Sequence, residues 1–223
     1  MAKQFDIKML YIVSVVTAFL VISFNERVGL VYALILLGVV ILPRKKLFIN
    51  NISGNTPKAI GYALGAYALL FIIYYLSSFV LQGFYPAVAA GQGFGQAFSQ
   101  MIALMKTQAA LPLASSKILG FVTDGILIPI IETFFIGTLL EFFSEISKTS
   151  LQSITGRAWI LFSVVSGIFA WFHITVRGVS NVAWFITFAF GMITCYLIVS
   201  QREMESSAYL HILNNVISKL KGG

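Results

Sequence analysis

With 223 residues, 58% of them hydrophobic and 10% charged, the chain has too little charge for a soluble domain, which carries about a quarter charged residues. It reads as an all-α, polytopic integral membrane protein of about seven transmembrane helices in one membrane domain over 1–223. A formal charge of +7 raises nucleic acid as a partner, but the basic residues flank apolar runs in small groups, so they read as anchors at a lipid surface and nucleic acid is not expected. The one cysteine, Cys195, lies in an apolar run, which excludes an intramolecular disulfide and a cysteine-rich metal site.

Three spans are expected within 9–83. Residues 9–24 are apolar behind Lys3 and Lys8; with no small-residue cleavage site before a soluble domain, they read as a first span rather than a signal peptide. Residues 28–42 form a short second run ended by Pro43, and Arg44, Lys45 and Lys46 then supply the clearest cytoplasmic marker. The third run, 59–79, contains Gly61 and Gly65 in a small-xxx-small pattern that permits close helix approach.

Hydropathy falls over 84–117. The glycines of AGQGFGQ at 90–96 lack the strand and helix that a phosphate-cradling loop requires. Residues 97–110 put Phe98, Met101, Ile102 and Met105 on one side, a pattern that suits a helix lying in the membrane interface and equally a simple connection between two spans. Further spans are expected at 118–143, 158–176 and 182–200. The last run, 208–220, covers about 20 Å as a helix, short of a bilayer's roughly 30 Å, so it is expected to tilt, to start below the surface, or to span only with help from Ser207 and Lys219. Alternating the sides from a cytoplasmic N-terminus puts nine basic residues inside and six outside, which favours that orientation.

Ionisable and amide groups in these runs are the candidate site, because they are costly to bury without a purpose or a partner. Glu132 lies in IPIIETFF at 128–135, His173 ends FAWFH at 169–173, and HILNN at 211–215 carries His211 and Asn215. The last two, four apart, share a helix face. Such groups could serve hydrolysis, which needs an activated water, a proton shuttle and donors for a developing oxyanion. Glu132 suits the base, His173 the residue that orients the water, and His211 with Asn215 the donors. No metal or cofactor is expected on this reading. A rival one makes Glu132, His173 and His211 the ligands of a catalytic zinc, though no HExxH supports it.

These motifs resemble the CAAX-protease and bacteriocin-processing family, which includes the Ras-converting type of intramembrane endopeptidase. Phe169 and His173 look like its FxxxH motif; Phe190 and Gly191, followed by His211 and Asn215, look like its sixth span and HxxxN motif. The resemblance covers 118–220 and implies a metal-independent glutamate mechanism acting on a peptide or membrane-anchored protein substrate in the lipid bilayer. The family's first motif has two adjacent glutamates and, after three intervening residues, an arginine. Here only Glu132 is acidic. Aligned on Pro129, Glu132 takes the first place, Thr133 the second and Gly137 that of the arginine; the other register puts Ile131 first and Ile136 at the arginine. The first register retains the glutamate that the resemblance assigns to water. The alternative function is a non-catalytic membrane protein of the same fold that binds a partner or serves as a complex subunit. Oligomeric state is not legible.

Overall fold

A computed structural model describes residues 55–78, 80, 121–177 and 181–220, together with positions 9, 12, 13 and 17, which are helical. The elements within 55–220 are helices, with no strand among the described residues: α1 (Thr56–Ser78), a π-helical turn (Thr123–Leu127), α2 (Ile128–Ser147), α3 (Gly156–Arg177), α4 (Asn181–Gln201) and α5 (Glu205–Leu220). Among the described residues, three stretches, Thr56–Ser77, Gly125–Ser147 and Trp184–Gln201, are long and apolar enough to cross a membrane. The expected second span and the 84–117 loop with its interfacial helix lie outside the described residues, as does most of the first span.

Polarity is distributed as hydrocarbon surroundings require. Leu64, Ile72 and Leu76 on α1 and Ile160 and Trp171 on α3 are exposed, whereas Glu132, Thr133, Ser166, Thr194, Ser207 and His211 are buried. Lipid solvates the apolar exterior, while polar groups must find partners inside. The core between the helices is built from Phe135, Phe162, Phe169, Leu140, Ile198 and Leu210.

Local chemistry sets the helix ends. Pro129 stands in the first turn of α2, where a missing N–H leaves no bond unmade. Lys148 ends α2 in the left-handed conformation at φ 51°, and its N–H reaches Glu145 O at 3.3 Å. Thr155 then caps α3, accepting the Ala158 N–H at 3.3 Å on its hydroxyl oxygen. This short connection makes α2 and α3 antiparallel neighbours, which levels Glu132, near the start of α2, with His173, near the end of α3.

α4 packs along α3, and Gly191 permits the contact. A Cβ at Gly191 would lie 2.9 Å from the Ser166 Cβ and Oγ and 3.0 Å from its Cα. Because the obstacle includes backbone, Gly191→Ala is expected to destabilise the protein by about 1–3 kcal/mol. A lowered thermal midpoint in detergent checks this, and an unchanged midpoint contradicts it.

The turn from α4 to α5 resolves a topological difficulty. Straight, full-length spans would hold His173 and His211 at different depths. Instead Arg202 adopts a left-handed φ of 55°, its Nη2 donates to Gln152 O at 3.2 Å, and the chain turns back at once into the bundle. Met204 is buried against Gly137, midway along α2. From that level, five residues back along α2 to Glu132 and seven forward along α5 to His211 cover similar distances, about 8 and 10 Å. α2 itself continues to Ser147, roughly 15 Å beyond the Met204 contact at the α-helical rise. The last helix thus starts well short of the end of α2.

Candidate active site

Glu132, His173 and His211 meet in the interior. Glu132 is 1% exposed; its Oε1 lies 3.2 Å from His173 Nε2 and its Oε2 2.8 Å from His211 Nε2. Each carboxylate oxygen therefore faces one imidazole. Asn215 stands one turn beyond His211 on α5, half-buried, and its Oδ1 accepts from Asn214 Nδ2 at 3.4 Å.

The histidines are fixed at their other nitrogens. His173 Nδ1 donates to the Phe169 carbonyl at 3.0 Å, since a carbonyl can only accept. His211 Nδ1 lies 3.3 Å from Thr133 Oγ1, and that hydroxyl donates its single proton to Pro129 O at 2.8 Å. Which of Thr133 and His211 donates across their contact depends on the imidazole tautomer. With Nδ1 of His173 protonated, its Nε2 contact with Glu132 needs one further proton, carried by the carboxyl or by an imidazolium. A carboxyl held between two imidazoles in a water-poor interior is suited to accepting and passing protons.

Aromatic rings hold the imidazoles in place. Phe169 packs on His173 at 4.2 Å between ring centroids and meets His211 edge-on at 6.1 Å, while Phe190 lies 4.6 Å from His211. Phe169 thus serves the site twice, with its ring and with its carbonyl. The sequence had singled out neither Thr133 as a partner of His211 nor the two rings as its walls. The signals for Thr133 were its position next to Glu132 and its place at the second acid of the resembling family's first motif.

The nitrogens of His173 and His211 approach opposite oxygens of one carboxylate, whereas a tetrahedral zinc needs its ligand atoms gathered about one point at about 2.0–2.2 Å. Among the described residues, no group of three or more His, Cys, Asp or Glu side chains is placed to hold a metal ion.

Gly137, at the place of the family's arginine in the first register, is filled from across the bundle. A Cβ there would stand 2.5 Å from Met204 Cε and 3.9 Å from Ile198 Cδ1. Positions 133 and 137 are four apart on one helix face, so an acid and an arginine there would be neighbours. If the first register holds, Thr133 and Gly137 stand in both places, and no buried charge is left unpaired there.

Comparison with the curated proteins and with the solved structures finds no match. Residues 114–217 match the model of the type II CAAX prenyl endopeptidase Rce1-like family. That stretch, a little under half of this integral membrane chain, holds Glu132, His173, His211 and Asn215, and its match supports a relation to the CAAX-protease type of membrane endopeptidase.

Proposed function

We propose that the chain is an active, metal-independent intramembrane endopeptidase with Glu132 as its general base. The observation that carries this reading is the buried Glu132 carboxylate bracketed by two histidine Nε2 atoms at 3.2 and 2.8 Å. The longer contact, to His173, is the one that opens to let a water reach Glu132 Oε1. Glu132 takes the proton of that water as its oxygen attacks the peptide carbonyl carbon. The carbonyl oxygen gains the negative charge, and His211 and Asn215 donate hydrogen bonds to it. The C–N bond then breaks and the amine leaves with the proton held by the site, so that one water yields a carboxylic acid and an amine.

The substrate is a membrane-anchored protein, and the family's description makes a prenylated CAAX peptide the first to test. The non-catalytic reading draws on the replaced acid and arginine. Against it, the two are replaced together without orphaning a charge, and Glu132 keeps both imidazoles.

Chelation tests the metal-independent chemistry. Cleavage of a membrane-anchored peptide in liposomes is expected to continue undiminished in excess chelator, with no stoichiometric zinc in the purified protein. One zinc per chain, together with loss of cleavage on its removal, would overturn the glutamate mechanism.

A further inference from the structure

We propose that Thr133 is a positioning residue that sets the protonation of His211, keeping a proton on Nδ1 and turning Nε2 toward Glu132. The consequence for turnover rests on the endopeptidase reading; the assignment of the proton does not. Thr133 is fully buried, and its hydroxyl has one proton to give. Pro129 O, at 2.8 Å, takes it. Donation to His211 Nδ1 instead would leave two acceptor oxygens facing each other at that distance, an unfavourable contact in a buried setting. The Thr133 oxygen therefore receives the Nδ1 proton at 3.3 Å.

The rest of the geometry depends on this polarity. With Nδ1–H anchored, His211 Nε2 is the nitrogen aimed at Glu132 Oε2, 2.8 Å away. Were Nδ1 bare and Nε2 permanently protonated, the imidazole would donate to Glu132 but have no lone pair with which to receive a proton from it. Anchoring Nδ1 makes the Nε2 contact a two-way path: the carboxyl proton can pass to His211, and the imidazolium so formed has an N–H to offer the oxyanion. His173 has the same arrangement, built from its own helix through the Phe169 carbonyl. The anchor of His211 comes from a different helix, α2, and from the residue beside the base. Thr133 thereby locks the last helix in register with Glu132, at the position where the resembling family carries an acid.

Nitrogen NMR on protein labelled at the histidine rings tests this directly, because the chain contains two histidines and a His173→Gln variant assigns the signals. The expected result is a protonated Nδ1 on His211. Thr133→Val, which keeps the shape and removes the hydroxyl, is expected to lose that signature and lower kcat about tenfold or more with KM nearly unchanged, as when a histidine loses the partner that fixes its tautomer. Thr133→Ser is expected to restore both. A bare Nδ1 on wild-type His211 overturns the proposal without recourse to any variant, as does a folded Thr133→Val protein with the wild-type signature. A wild type that shows the Nδ1 proton but cleaves nothing supports the role of Thr133 and counts against the endopeptidase reading alone.

Discussion

Glu132→Gln is expected to lower turnover about a hundredfold or more, the usual scale for removing a general base, while leaving the protein folded. The glutamine amide fits the same space, and its oxygen and NH2 can still face the two imidazoles at the positions now 3.2 and 2.8 Å away. What it cannot do is accept the proton of water. The check is paired: initial rates on one cleaved peptide, and thermal midpoints of both proteins in the same detergent. A fall in both together would mean that Glu132 acts mainly as an inter-helix contact.

Gly137→Arg is expected to have the largest effect on stability. It restores the family's arginine in the first register, but into a position where a Cβ already stands 2.5 Å from Met204 Cε. The guanidinium would enter a buried face of α2 with Thr133, not an acid, one turn away. An uncompensated buried charge costs about 3–5 kcal/mol, and displacing Met204 also loosens the turn that sets the depth of α5. The variant is expected to lose most of its folded yield in detergent. Adding Thr133→Glu is expected to recover part of it by pairing the charge. A single variant as stable as wild type would show that Met204 yields freely and that the turn does not depend on it.

Glu132, His173 and His211 were legible in the sequence because each is a costly group in an otherwise apolar run, and burial of such groups selects for shared partners. The helices also follow the apolar runs closely: 158–176 became α3 at Gly156–Arg177 and 182–200 became α4 at Asn181–Gln201. The ends were less legible. α2 continues to Ser147, past the expected 143, and α5 starts at Glu205 rather than at 208, because hydropathy does not record where polar helical turns continue an apolar run. Three features came only from tertiary packing. The left-handed Arg202 sends α5 back inside the bundle, Met204 occupies the space opposite Gly137, and the Thr133 hydroxyl meets a histidine 78 residues later. No local pattern encodes a contact between elements whose relative depth is set by a single turn.

The central claim, that this buried carboxylate between two histidines hydrolyses peptide bonds, is tested most directly by presenting a library of membrane-anchored peptides, prenylated and unprenylated, to wild type and to Glu132→Gln in liposomes. Products are read by mass. The expected result is at least one peptide cut by wild type at about a hundred times the rate of the variant. Equal rates for the two proteins across the library would contradict the claim and leave the chain a non-catalytic membrane protein.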